Sequence, residues 1–565
     1  MSILSDIGLE AGVGPDAIAA RAARAAVLRY HQATKHRLQA YARGPETLDW
    51  DAQPAPFRRY DGAPSQPLPL AAARYEISFR ELHRRLDGPA AAPDAGALGA
   101  LLQLSFAISA WKSNGVDRWA LRCNPSSGNL HPSEAYLIAD GIAGLADGVH
   151  HYRAGDHALE QRAAWQPPEA PAARRPALYL GLSSVIWREA WKYGERAFRY
   201  CQLDIGHAVA CVAYAAGLLG WRAEQVRGLT REALAQLLGL DRAADFAGGP
   251  RADVEREEPE LLLALHLSHD RDSRDAAAAL AARSAGAVWC GRASPIDPHP
   301  MYRWPIIDEV VAATACVSPV ASDAGRRLRM LPPLTALGAG RGAVETILGR
   351  RSGQRYDGRS RMRSGEFFHL LDALLERPQP PWRTLHDAPR IALLLFVHRV
   401  EGLAPGLYLL LRDSESAREL PPLLKPELRA APRVAGLEHL DLRRLAAVEP
   451  PSLQRVARSL CCHQDIAAAA CFTLAMLVEF EAPLQRDPAQ YRTLLRHAGL
   501  LGQILYLEAE ALGYRGTGIG CHFDDALHEM LGFSDARWQS LYHFAIGVPV
   551  PDTRIETSAA YAQGA

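Results

Sequence analysis

Residues 203–222, L-D-I-G-H-A-V-A-C-V-A-Y-A-A-G-L-L-G-W-R, are apolar on nearly every side at helical spacing, which predicts a fully buried helix over 203–221. The landmarks of this stretch recur. Gly206 and Gly220, with Trp221 and Arg222, match Gly499 and Gly513, with Tyr514 and Arg515, at an offset of 293 residues. Leu238-Gly239-Leu240 matches Leu531-Gly532-Phe533 at the same offset. Two separated matches in one register predict a chain made of two copies of one domain. Upstream, Gly144-Leu-Ala-Asp-Gly148 recurs as Gly402-Leu-Ala-Pro-Gly406 at an offset of only 258, each before a strand carrying Tyr152 or Tyr408. The second copy therefore holds about 35 extra residues between 410 and 460, read either as a lid or as a surface loop.

At 565 residues the chain is too long for one core. It is 48% hydrophobic and 22% charged, with 63 Lys+Arg against 63 Asp+Glu, so no overall field favours a nucleic acid. The opening residues lack a basic segment followed by an apolar core, and the longest apolar run, 466–478, is too short to span a bilayer. A cytoplasmic protein without membrane or nucleic-acid partners is expected. The nine cysteines form neither a disulfide framework nor paired C-x-x-C spacing. Adjacent Cys461 and Cys462 are read as buried thiols, with a redox pair as the alternative.

The expected layout is an N-terminal arm (1–70), a first domain (71–270), an Ala- then Pro-rich linker (271–305) and a second domain (306–565). Within it, helices are expected over 17–41, from 77, and over 98–110, and a strand over 134–139.

Between two backbone-fixing prolines lies R-C-N-P-S-S-G-N-L-H-P, residues 122–132. Its Pro125, Ser126, Ser127, Gly128 and Asn129 set short polar side chains beside free backbone amides, either a ligand-gripping loop or a turn before a strand. His131 lies inside it. The second copy has Arg350, Arg351, Ser352, Gln354 and Arg355, expected before a helix, whose guanidinium forks suit a phosphate. It also has the Gly-rich run Gly516 to Gly520, with Gly518, Ile519 and Gly520 at its end, where the first copy reads A-E-Q-V-R. The first copy's Ser-Ser-Gly-Asn loop maps onto R-T-L-H-D-A-P-R at 383–390. Each copy thus keeps half a site, which predicts one pocket at their interface. G-A-G-R-G-A at 338–343 lacks a preceding strand and carries little weight as a dinucleotide fingerprint. No histidine pair has metal-ligand spacing, and no metal is expected.

Arg-Arg-Ser-x-x-Arg, Pro-Ser-Ser-x-Asn and the late Gly-rich turn resemble the flavin contacts of the nitroreductase-like FMN superfamily, over about 70 to 555. S-S-G-N-L-H-P with E-A-Y-L, the segment Trp191-Lys192-Tyr193-Gly194-Glu195-Arg196, and G-L-A-P-G-L-Y resemble its SagB-type branch, which contains azoline dehydrogenases. The resemblance implies an α+β fold of two tandem domains, helices around a mainly antiparallel sheet, forming an intrachain pseudo-dimer for which a monomer suffices. It places Arg350 on an FMN phosphate, Ser352 and Gln354 near the pyrimidine edge, Pro125–Asn129 across the interface, and Ile519 and Gly520 at the N5 edge. The family often has a basic residue where Gln354 stands, a role left to Arg355. The expected activity is dehydrogenation of a small or peptide-derived intermediate, with Lys192 and Tyr193 moving the proton, His131 next in line, and room for a biosynthetic partner enzyme. An NAD(P)H-dependent nitro or quinone reductase and a non-catalytic flavin-binding partner are the alternatives.

Overall fold

The computed structural model describes residues 15–561 apart from 85–88, 167–175, 247–250, 268–275, 285, 316–330, 335–336, 338–339, 430 and 437. The expectations for residues 1–10, for the start of the linker (271–275) and for Gly338 and Ala339 lie outside the described residues.

Two antiparallel sheets form the frame. The first contains β1 (Ser133–Asp140), β2 (Gly148–Arg153), β3 (Ala158–Ala164), β4 (Ala177–Ser184), β5 (Arg222–Gln225) and β6 (Glu258–His266), in the order β3-β2-β1-β4-β6-β5. The second contains β7 (Ile391–Val397), β8 (Gly406–Leu411), β9 (Asp441–Ala447), β10 (Phe472–Glu479), β11 (Arg515–Ile519) and β12 (Trp538–Gly547), in the order β9-β8-β7-β10-β12-β11. The two orders coincide strand for strand. Most of these strands are buried on both faces, so they read as continuous apolar runs rather than alternating ones.

In each half one long helix joins the fourth strand to the fifth: α1 (Ala197–Leu218) in the first, α2 (Gln490–Ala511) in the second. The helices pack on each other through their repeated glycines. A Cβ on Gly206 would lie 2.0 Å from the Arg496 carbonyl oxygen, and one on Gly499 would lie 2.0 Å from that of Leu203. These contacts are reciprocal under the same 293-residue offset, as an isologous contact requires. Gly220 and Gly513, then Gly239 and Gly532, all take positive φ just past a helix end, where glycine is least strained. One apolar core runs through both halves, and two smaller clusters cover the outer faces of the sheets.

The chain ends cross between the halves. The helix Pro15–Ala33 sets His31 against Tyr491 (3.2 Å) and Gln539 (3.2 Å) of the second half. Further along the arm, Ser65–Pro67 pairs with β3, and Arg58 is buried on Glu255 and Glu257 of the first half. In the other direction the tail strand Glu556–Ser558 pairs with Ile108–Ser113.

Some expectations are corrected. The helix expected over 98–110 is Ala95–Ser105, and Ile108–Ser113 is a strand, because β-branched and aromatic residues follow Phe106. From 77 only Phe79–Leu82 is helical. The described linker residues are bound to the first sheet, with Val288–Trp289 on β3 and Arg292–Ala293 on the arm. The extra residues of the second half extend the β8–β9 and β9–β10 connections. Leu420, Leu424 and Leu428 bury against Leu527 and Leu531 on the outer face of that sheet, away from the cavity described below, so this segment is not its lid. Among the described residues one helical stretch, Ile186–Leu218, is apolar and long enough to cross a membrane, and its most apolar part is buried inside the protein.

Candidate functional site between the two halves

A cavity of about 570 Å³ opens between the halves, walled by the loop 124–129 of the first and by 350–354 and 515–521 of the second. Gly128 (φ +61°), Asn129 (+61°) and His131 (+54°) take left-handed backbone, so the loop is wound tightly and needs external holds. It has several. Asp204, on α1, accepts from the Ser127 amide (3.1 Å) and hydroxyl (3.1 Å), while Asn129 donates to the Ala120 carbonyl (2.9 Å). The His131 amide donates to the Ser126 hydroxyl (2.9 Å), and its carbonyl accepts from Arg188 (2.8 Å).

Arg350 closes the helix Ala343–Gly349, so the Arg-rich run lies between that helix and the next, Ser364–Ala373. It is buried, lies over the Tyr506 ring at 5.0 Å, and donates one Nη2 bond to the Arg122 carbonyl (3.1 Å). Its Nε and Nη1 have no protein partner among the described residues. Buried guanidinium N–H groups left without partners are costly unless something else accepts from them. Lys112, Arg351 and Arg515 line the same cavity. Burial and the neighbouring Arg350 push Arg351 down to about 10, and burial with Arg351 and Arg350 does the same to Arg515. Positive charge therefore gathers at this end of the cavity, a setting that suits an anion.

Ser352 and Gly518 share one anchor, the Tyr506 hydroxyl, at 2.9 and 3.0 Å. Gly353 donates to the Gly516 carbonyl (2.9 Å), which stitches the Arg-rich turn to β11. The glycines here are sterically required. A Cβ on Gly518 would lie 1.8 Å from the Tyr542 hydroxyl, one on Gly520 2.3 Å from the Tyr200 ring, and one on Gly128 2.5 Å from the Tyr193 hydroxyl. Asn124, also in the wall, is buried with both amide atoms unpartnered.

Of the residues singled out from the sequence, Pro125, Ser126, Ser127, Gly128, Asn129, Tyr193, Arg350, Arg351, Ser352, Gln354, Gly518, Ile519 and Gly520 all line the cavity. Three do not. Arg355 is exposed outside it, so it does not take over from Gln354. His131 is buried behind the loop with its ring on the Ala120 carbonyl (3.2 Å), and burial holds it neutral. Lys192 lies over the Trp50 ring at 5.1 Å, with Tyr193 at the end of the helix Ile186–Tyr193. The sequence reading missed Asn124, Tyr200, Asp204, His207, Tyr506 and Tyr542, all of which line the cavity. Asp204 and His207 had a signal: they are the only acidic or basic side chains in the run 203–221.

A second, smaller cavity of about 120 Å³ lies at the positions related to the first by the repeat. It is lined by 225–228, the counterparts of 518–521, by His386 and Asp387 of the loop that replaces Ser-Ser-Gly-Asn, and by Arg492 and Arg496 of α2. Here the two loops touch. The Gln225 amide donates to the Thr384 carbonyl (2.8 Å), and the His386 ring binds the Gln225 carbonyl (2.6 Å). Arg492 and Arg496 are paired with Glu258 and Glu260. Their positive charge is neutralised internally, whereas Arg350 keeps free donors.

Residues 405–548 match the nitroreductase family, so the second half carries a nitroreductase family domain. A solved structure from Anabaena variabilis, assigned as a nitroreductase, superposes with a TM-score of 0.64 at 22% identity, over 93% of this chain and 99% of that one. The fold of both halves together therefore recurs there. The trifolitoxin-processing protein TfxB of Rhizobium leguminosarum bv. trifolii is 26% identical over 214 residues, 34% of this chain, and the chain spans 57% of its length. The chain is nitroreductase-like and resembles the SagB-type branch.

Proposed function

We propose that the chain is an FMN-dependent oxidoreductase in which two copies of one domain, 71–270 and 306–565, wrapped by the arm 1–70 and joined through 271–305, share a single cofactor site. The observation that carries this reading is the contrast between the two cavities. One keeps a buried arginine with unpartnered donors, a glycine-lined wall and an open volume; its counterpart is closed by loop-to-loop hydrogen bonds and internal ion pairs. Arg350 would hold the phosphate, with Lys112 and Arg351 adding charge, while Arg515 is held on Glu510. Asn124, Ser352 and Gln354 offer hydrogen bonds to a polar ring edge, and Gly518–Gly520 allow a flat ligand to lie close to the backbone. When bound, the flavin supplies a two-electron acceptor.

The substrate reading is dehydrogenation of an azoline-type, peptide-derived intermediate. Similarity to a protein named for processing trifolitoxin supports it. Tyr193 is the group placed to meet the substrate, with its hydroxyl over Gly128 at the cavity wall. Burial, then Glu189 nearby, raises its pKa well above the ordinary phenol value, so it holds its proton at neutral pH. Lys192, 5.4 Å from the Tyr193 ring and held below the ordinary lysine value by burial, is a positioning residue behind it. The test is anaerobic reduction of the bound flavin by a synthetic thiazoline peptide, compared with NADPH. Reduction by the peptide supports the dehydrogenase reading, and reduction by NADPH alone replaces it with a nitro or quinone reductase.

A further inference from the structure

Cys521 follows Gly520 and lines the cavity wall. Near it is Cys462, on the turn after the helix Pro450–Leu460, close enough that each thiol acts on the other's ionisation, lowering Cys521 and raising Cys462. The turn is held in an unusual shape, since Cys462 (φ +50°) and His463 (+59°) are successive non-glycine residues in the left-handed region. Gln464 ties the two segments together by donating to the Cys461 carbonyl (2.9 Å) and to the Cys521 carbonyl (3.2 Å). Adjacent Cys461 does not join the pair; it is buried with its thiol on His543 at 3.4 Å.

The surroundings of Cys521 favour a thiolate. His36 is its neighbour, and the His36 Nδ1 accepts from the Ala42 amide (2.9 Å), which leaves the ring proton on Nε2. Arg196, which donates to the Gly520 carbonyl (2.7 Å), adds a positive charge. The neighbouring Cys462 thiol, with His36 and Arg196 behind it, pulls Cys521 down to about 5 against the opposing effect of burial. The other titratable groups facing it are Cys461 and the hydroxyls of Tyr41, Tyr193 and Tyr200. Both cysteines are partly exposed, while Cys123, Cys201, Cys211, Cys461 and Cys471 are buried.

We propose that Cys462 and Cys521 are a redox pair in the cavity wall, with Cys521 as the nucleophile and Cys462 as the resolving thiol, oxidised by small disulfides and reopened by thiols. The Cys521 sulfur attacks one sulfur of the incoming disulfide, whose S–S bond breaks, and one thiol leaves with a proton from solvent. Cys462 then loses its proton to solvent and attacks Cys521, forming the Sγ–Sγ bond and releasing the second thiol. The protein gives up two electrons and the small disulfide takes both. Closure joins the Cys462 turn to the glycine wall, so the redox state of the pair sets the shape of the surface on which the cavity's ligand lies.

The test treats the full chain, as purified, with 2-hydroxyethyl disulfide and maps peptides by mass. A Cys462–Cys521 link is expected in the parent, a single mixed disulfide on Cys521 in Cys462→Ser, and no modification of Cys462 in Cys521→Ser. In the parent, alkylation of Cys521 by iodoacetamide should fall less than about twofold from pH 8 to pH 6, against more than about tenfold for an ordinary thiol. A parent chain in which Cys521 stays unmodified, keeps the mixed disulfide unresolved, or follows the ordinary pH profile overturns the proposal.

Discussion

Replacing Arg350 with alanine removes three things at once: the donor to the Arg122 carbonyl, the stack on Tyr506, and two donor nitrogens with no protein acceptor among the described residues. The first two belong to the fold, and loss of a buried hydrogen bond there costs about 1–3 kcal/mol of stability. The last two belong to the ligand. A charge-assisted pair is worth about 1.5–3 kcal/mol, or roughly ten- to hundredfold in Kd. These contributions are separated by titrating flavin-free protein with FMN and with riboflavin, which differ by the phosphate. Arg350→Ala should lower the preference for FMN over riboflavin by at least about tenfold, because only the phosphate contact is lost between the two ligands. Arg350→Lys should fall between, keeping the charge without the fork. Arg74→Ala, an exposed change in the first half, should leave the preference intact. An unchanged FMN preference in Arg350→Ala, or an equal loss in Arg74→Ala, refutes the assignment.

Tyr193→Phe should retain flavin and slow its anaerobic reduction by a thiazoline peptide by roughly 10²–10⁴ in stopped flow, with air reoxidation unchanged; Lys192→Ala should slow it less, since Lys192 does not line the cavity. In Gly518→Ala the added methyl would meet the buried Tyr542 hydroxyl, so both flavin content and the melting temperature of the flavin-free protein should drop. Gly499→Ala should destabilise the whole chain in urea by about 1–3 kcal/mol or more, because the methyl meets a backbone carbonyl that cannot swing aside. Glu260→Ala in the closed counterpart should cost about 3–5 kcal/mol in the same assay by leaving Arg492 and Arg496 without their shared carboxylate, yet leave flavin content unchanged.

The spacing of Gly206, Gly220 and Gly239 against Gly499, Gly513 and Gly532 was legible, because positive φ and close backbone approach leave few other residues a fit. Their geometry was not, since a linear pattern does not say which helix faces meet; only the packed helices show Gly206 on Arg496 and Gly499 on Leu203. The walls of the cavity were legible where backbone form dictated residue type, as in Pro125–Asn129 and Gly518–Gly520. Tyr506 and Tyr542 were hidden, because an aromatic in an apolar helix or strand reads as core until its hydroxyl is seen to hold Gly518 or His207. His131 shows the converse error: a histidine beside ligand-gripping residues looked chemical, but it is a buried brace for the loop.

The central claim is that two halves make one site, and flavin stoichiometry tests it most directly. Protein purified by a gentle route, denatured by heat, and analysed by chromatography against amino-acid quantification should release one FMN per chain. Two per chain would show that the small cavity at 225–228 and 386–387 opens to bind as well; none, with no uptake on adding FMN, would contradict the account altogether.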